Sequence, residues 1–414
     1  MTLTYGERIS SSAPAFDRIR APRWRWFTFP ALLSLLAGLL TNLRFQFVGR
    51  ASVGEILLAL VAIFAVLANI GNPRFWNRRM LIAIAALSIT FSGYILSDLI
   101  NGTPPDRLIR GWARMGFLIL DFVAIWALAR NSMVNLFALC VGDAMSTLLS
   151  YGAENSDFFY NYKFHLAMPL TVIVSIVVPL LLRRVANLAT GVGLVMVGML
   201  HLWLDYRMLG GICILIGFVL TARCMAVSRL RSLYLAMLAL AIVLSSTAIV
   251  YLYRTTNDSF GMRRAGSNSA RASLAMAGAS AIRRSPVFGL GSWVWDNEMW
   301  NIYAGEMGRG STAQQAAGET LGPHSQIVQA WAEAGVLGLV FFLYLGKELA
   351  EATWILFFRR ALDLMTPLFL YNLLLGVWNL FFSPFANLHR FALALALVIC
   401  IQILREGTRD KAMG

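Results

Sequence analysis

Three residues in this sequence have the chemistry and the surroundings of a reactive site: His324, Arg271 and Arg207. A neutral imidazole can take a proton from a hydroxyl near pH 7. A guanidinium presents a fork of donors that matches phosphate oxygens. Together they suit transfer of a group away from a phosphate. His324 heads a segment in which Ile327, Val328 and Trp331 recur at helical spacing over 325–334. Arg271 lies in an Ala-rich stretch, 270–284, that reads as a helix ending at Ser285-Pro286, because proline restricts the residue before it. Arg207 stands in Leu204-Asp205-Tyr206-Arg207-Met208, between two apolar runs, where an arginine is costly unless it snorkels or faces water. Taken singly, each has a simpler reading. His324 could cap a helix, Arg271 could meet a lipid headgroup, and Arg207 could pair with Asp205. The Gly289-Leu290-Gly291 turn follows no strand, so it is not a dinucleotide fingerprint. Trp293, Trp295 and Trp300 suit an interfacial belt or a sugar-stacking surface. The acids Asp296, Glu298, Glu306 and Glu319 lack the paired spacing of a glycosidase dyad.

The elements that must position these residues are membrane helices. Of 414 residues, 58% are hydrophobic and 14% charged, against about 25% charged in a soluble domain. The mean hydropathy is +0.66. A span needs about 20 mostly apolar residues. That rule gives twelve: 27–42, 53–71, 80–100, 113–130, 132–150, 166–182, 187–204, 208–223, 232–253, 335–352, 362–383 and 391–405. The net charge of +14 comes from short basic clusters between these runs, as in cytoplasmic loops, and not from a nucleic-acid surface. Cys140, Cys213, Cys224 and Cys400 fall in or beside apolar runs, without metal-ligand or disulfide spacing.

The distribution of Arg and Lys orients the chain. Residues 1–26 form a retained cytoplasmic segment, 27–253 carry the first nine spans, 254–334 form one large periplasmic loop, 335–405 carry the last three spans, and 406–414 form a cytoplasmic tail. Arg207 then lies on the same face as the loop, whereas Arg223 lies at the opposite end of the same span. A long polar loop is where chemistry is expected in such a chain.

His324-Ser325, nine residues, Gly335, two residues and Gly338 resemble the H-[NSQ]-x9-G-x2-[GTY] signature of bacterial O-antigen ligases. Lipid-linked glycan polymerases are similar in the same region. Arg271, a helix, then Pro286-Val287-Phe288-Gly289-Leu290-Gly291 resembles that family's Arg, amphipathic helix and P-x-x-G-x-G order. Arg207 is similar to the family's earlier functional arginine, although Tyr206-Arg207-Met208 replaces the frequent Ser-Arg-Gly.

The resemblance implies an all-α polytopic membrane protein, similar to type C glycosyltransferases, with about twelve spans and short helices in the large exterior loop. It implies an inner-membrane enzyme that needs no cofactor and no metal. The enzyme would move a glycan from undecaprenyl pyrophosphate onto an acceptor glycan or lipid A core. His324, Arg271 and Arg207 would be catalytic, and Arg207, Arg271, Ser325, Gly289 and Gly291 would bind substrate. Membrane lipid, a chain-length regulator and a repeat-unit flippase are the implied partners. Polymerase is the first expectation and ligase the second. Two alternatives remain: a secondary transporter or lipid-linked glycan flippase using Asp121, Asp143 or His201 within spans, and a peptidoglycan-type polymerase.

Overall fold

Apolar runs bounded by helix-capping residues set the architecture. The computed structural model describes residues 28–46, 50–130, 132–151, 157–183, 185–225, 258–294, 296–307, 323–358, 363–385 and 387–413. Thr28 caps α1 (Phe29–Leu39) through its side chain. Strands β1 (Arg44–Gln46) and β2 (Arg50–Ser52) follow as a small antiparallel hairpin, an addition to the expected all-helical chain. Ser52 and Glu55 form a capping box that starts α2 (Val53–Asn69), each satisfying the other's backbone amide. Asn77 caps α3 (Arg78–Asn101), and Gly102 closes it in the left-handed conformation. Next come α4 (Pro105–Ala129) and α5 (Met133–Leu149). Helix α4 begins eight residues before the expected span. Pro105 sits at its N-terminus, where a missing amide costs nothing, and its first turns are too polar to register as an apolar run.

Helix α6 (Phe158–Asn161) passes through a π-helical turn, Tyr162–Leu166, into α7 (Ala167–Leu181). Then α8 (Ala186–Trp203) and α9 (Arg207–Met225) form a hairpin. The expected span 232–253 and the segment 1–26 lie outside the described residues. Helices α10 (Asp258–Arg284) and α11 (Asn297–Met307) belong to the expected loop. Helix α10 starts twelve residues earlier than 270, and α11 falls in a polar tract for which no particular helix was expected. Last come α12 (Gln326–Phe358), α13 (Thr366–Phe382) and α14 (Asn387–Met413).

Among the described residues, six helical stretches are long and apolar enough to cross a membrane: Arg78–Asn101, Pro105–Ala129, Phe158–Leu181, Ala186–Trp203, Arg207–Cys224 and Gln326–Phe358. Phe29–Leu39, Val53–Asn69, Met133–Leu149 and Thr366–Phe382 are apolar but shorter. This is a multi-pass, helical membrane protein. Its outer surface shows large apolar side chains such as Leu32, Phe64, Met196 and Trp203, which suit lipid.

Lipid offers little hydrophobic drive for helix association, so close backbone contact matters more. Helices α1 and α5 cross at Gly38 and Gly142, and a Cβ on either would collide with the opposite backbone. Helices α8 and α9 meet through Gly191, Gly198, Gly210 and Gly217 in the same way. Helix α12 lies between α3, α13 and α14. Ion pairs to buried carboxylates tie distant helices together. Arg390 on α14 grips Glu55 on α2 in a fork, at 2.8 and 2.9 Å, and Arg79 on α3 meets Glu348 on α12 at 2.8 Å.

Candidate active site

The loop turn and the start of α12 fit together through a helix irregularity. Gly335 has φ 62° and ψ −153°, a conformation that is essentially restricted to glycine. The break frees two carbonyls of α12, and buried carbonyls need partners. The turn supplies them. The Leu290 amide donates to Ala332 at 2.8 Å, and the Gly291 amide donates to Glu333 at 3.0 Å. In return the Val336 amide donates to Val287 at 3.1 Å. Trp331 Nε1 donates to the Pro286 carbonyl at 2.9 Å. The P-x-x-G-x-G turn and the H-x9-G segment are therefore one docked unit.

That docking decides what the motif residues do. Gly289 and Gly291 have positive φ and are buried. A Cβ on Gly289 would lie 2.5 Å from Glu333, and one on Gly291 would strike Thr103. Both amides are engaged inside the protein: Gly289 N–H donates to Ser285, and Gly291 N–H to Glu333. These glycines, expected from the sequence to bind substrate, shape the turn. Ser325, expected at the same task, donates to the Leu380 carbonyl at 3.1 Å and accepts from the Val328 amide, so it caps α12.

His324 precedes that cap and stands exposed. Helix α10 brings Arg271 to it. Ser273, Leu274, Ala277, Gly278 and Ala281 are buried on α10. A Cβ on Gly278 would lie 2.7 Å from Val328 and 3.0 Å from Pro323, so α10 rests directly on the segment around His324. Arg271 lies about two turns before Gly278 on the same side. Partial withdrawal from water lowers the His324 pKa below its ordinary 6.5, and the charge of Arg271 lowers it further. Among the described residues, neither Arg271 nor His324 has a side-chain hydrogen-bond partner. His389, at the start of α14, is pushed down to about 4 by burial, with His324 adding to the effect.

Arg207 opens α9 after a tight junction in which Asp205 has φ 60°. Its guanidinium is one-third exposed and 3.8 Å from the Asp205 carboxylate. A residue that sequence reading passed over joins it. Lys163 stands in the π-helical turn, with Nζ 5.8 Å from the Tyr206 ring centre. It lies within range of the charges on Arg271, Asp205 and Arg207. The structure thus brings Lys163, Arg207, Arg271 and His324 to one end of the helices. The available signal was faint: Lys163 is one of only three lysines among 35 basic residues.

His201 braces this arrangement from below. Its Nδ1 meets the Tyr162 hydroxyl at 2.7 Å and its Nε2 meets the Thr171 hydroxyl at 2.9 Å, while its carbonyl accepts the Tyr206 amide at 2.7 Å. The Thr171 hydroxyl donates to Ala167, so His201 donates from Nε2 and accepts at Nδ1. One imidazole thereby fixes the π-turn carrying Lys163 and the junction carrying Arg207.

A site of this kind gathers three cations at the same end of the helices as one base, with Arg271 beside it. It can hold a doubly or triply negative group and take a proton beside it. No curated protein matches the chain. A family model described as O-Antigen ligase matches residues 169–343. That segment contains Arg207, Arg271, the docked turn, His324 and Gly335, and over it the chain is similar to the O-antigen ligase family.

Proposed function

We propose that the protein is a membrane glycosyltransferase that moves a glycan from undecaprenyl pyrophosphate to an acceptor hydroxyl, on the periplasmic side of the inner membrane. The observation that carries this reading is that Arg271 lies within range of both His324 and Lys163, and Lys163 within range of Arg207. His324 takes the proton of the acceptor hydroxyl. The acceptor oxygen forms a bond to the anomeric carbon as the bond from that carbon to the diphosphate oxygen breaks. Undecaprenyl pyrophosphate leaves with the electron pair, and the three cations neutralise the charge that develops on it. The polyprenyl chain lies between apolar helix faces. The large loop, the start of α9 and the π-turn together form the reaction chamber, and twelve spans carry it.

The product is a surface polysaccharide, made by polymerising lipid-linked repeat units or by ligating a finished glycan to lipid A core. Deleting the gene and analysing the glycans separates the two. Loss of polymer with single repeat units remaining indicates polymerase. Polymer retained on undecaprenyl pyrophosphate indicates ligase. Purified protein given a synthetic undecaprenyl-pyrophosphate glycan and an acceptor should form product, and the His324→Ala protein should not. Unchanged product formation by His324→Ala would overturn the base assignment.

A further inference from the structure

The break at Gly335 has a mechanical result. It separates the first turns of α12, 326–334, from the membrane-embedded remainder, so the rotation of this short segment is not inherited from the long helix. Something else must fix it, because His324 sits at its free end. Three polar residues on the segment face inward at four-residue spacing. Ser325 reaches the Leu380 carbonyl, Gln329 Oε1 accepts the Phe385 amide at 2.7 Å, and Glu333 pairs with Arg114 on α4. Glu333 also accepts from Gln329 Nε2 at 3.0 Å and from the Trp293 amide at 3.3 Å.

Arg114 is an unusual partner. It is buried, and its guanidinium lies 4.6 Å from Trp293, 4.7 Å from Phe385 and 5.2 Å from Tyr94, measured to the ring centres. Its Nη1 donates to the Phe385 carbonyl at 3.1 Å. One guanidinium therefore contacts the loop turn, the start of α12, α3 and the chain after α13. Asp98 on α3 completes the joint, accepting from the Ser292 amide at 2.6 Å, the Ser292 hydroxyl at 2.8 Å and Trp112 Nε1 at 2.9 Å. Apolar residues of similar size could fill this volume at no loss of stability, since desolvating a charge pair offsets much of its attraction. They could not select one rotation of the segment, because dispersion contacts are not directional.

We infer that Arg114 and Glu333 are positioning residues. They lock the rotation of the 326–334 segment against the Pro286–Gly291 turn and so aim His324 at the cation cluster. This inference rests on the proposed transfer reaction only for its kinetic readout.

The test uses the purified full-length chain carrying Arg114→Met together with Glu333→Leu, which removes both charges and leaves neither unpaired. Glu333→Gln alone is a second variant that removes the charge and keeps one of the two acceptor oxygens, setting an amide NH2 against a neighbouring donor. Donor and acceptor KM, kcat and thermal unfolding are measured. The imidazoles are labelled with carbon-13 and titrated by NMR, with His324→Gln assigning the His324 signal. The expected result for the double variant is thermal stability like that of wild type, donor KM within about twofold, and kcat about tenfold or more lower, the scale a small misplacement of a reacting group produces. The His324 titration should move toward 6.5 as the imidazole swings away from Arg271. A folded double variant, or a folded Glu333→Gln protein, that keeps both wild-type kcat and wild-type His324 titration overturns the inference. If wild-type protein shows no transfer at all, the proposed function fails, and the His324 titration alone still decides whether the pair positions the imidazole.

Discussion

The Val287 carbonyl fills the notch that Gly335 opens in α12. The Val336 amide donates to it at 3.1 Å, and a Cβ on Gly335 would collide with its oxygen. Gly335→Ala therefore meets two penalties, a backbone conformation worth about 1–3 kcal/mol of strain and the loss of the docked turn. The expected outcome is a protein that unfolds at lower temperature and transfers glycan about tenfold more slowly or worse. Thermal unfolding in detergent and a product assay check it. Wild-type values in both would mean that the turn docks by other means.

The pH response of His324 has a definite sign. The base works in its neutral form, so the rate falls as pH drops through the pKa of His324. Burial and Arg271 hold that pKa below 6.5. The acid limb of kcat/KM should therefore lie below 6.5. Arg271→Gln removes one of the two causes, so the imidazole titration should move to higher pH. His324→Ala should cost about 10²–10⁴ in rate. An acid limb above 7 in wild type would contradict this assignment.

Lys163 and Arg207 should act on the donor and not on the acceptor. Each loses one charge-assisted contact in Lys163→Met or Arg207→Met. Such a contact is worth about 1.5–3 kcal/mol, or roughly ten- to a hundredfold in donor KM. Acceptor KM should stay constant. Arg207→Lys should recover only part of the loss, because an ammonium lacks the planar fork. Steady-state kinetics with donor and acceptor varied separately give the answer.

Asp121 tests the transport alternative. It is buried in α4, and neither carboxylate oxygen has a partner among the described residues. It also lies near the Glu55–Arg390 pair. A transporter would use such a group to carry ions. A transferase does not need it, so Asp121→Asn should retain transfer within about threefold, the cost of a modest packing change. Glycan transfer in proteoliposomes should also be indifferent to an imposed ion gradient. Loss of transfer on either treatment would favour the transport reading.

Much of this architecture was legible in the sequence because lipid imposes a simple rule. The apolar runs at 80–100, 187–204 and 208–223 became α3, α8 and α9 with end shifts of a few residues. Elements that violate the apolar-run rule were missed. The first turns of α4 are polar, α11 lies in a polar tract, and the 44–52 hairpin has no alternating pattern long enough to register. At the site, His324, Arg271 and Arg207 were found by type and spacing, and the structure brings them to one end. The backbone contacts of Gly289, Gly291 and Ser325 were not legible. Whether a glycine faces substrate or a neighbouring backbone depends on the Gly335 break, which a local motif does not encode. Nothing in the sequence singles out Arg114 or Glu333, and only their meeting across 219 residues gives them a role.

A π-helical turn contains one residue more than an α-helix needs to cover the same path. Tyr162–Leu166 therefore works as a phase shifter. Deleting a single residue there would restore α-helical register and turn everything N-terminal to it by about 100° relative to α7. The membrane-embedded part of α7 would be unchanged. Lys163 would swing out of the cluster, and Tyr162 would lose its bond to His201. Removing that one residue would thus subtract one cation from the site while every span, every arginine and every motif position stayed the same.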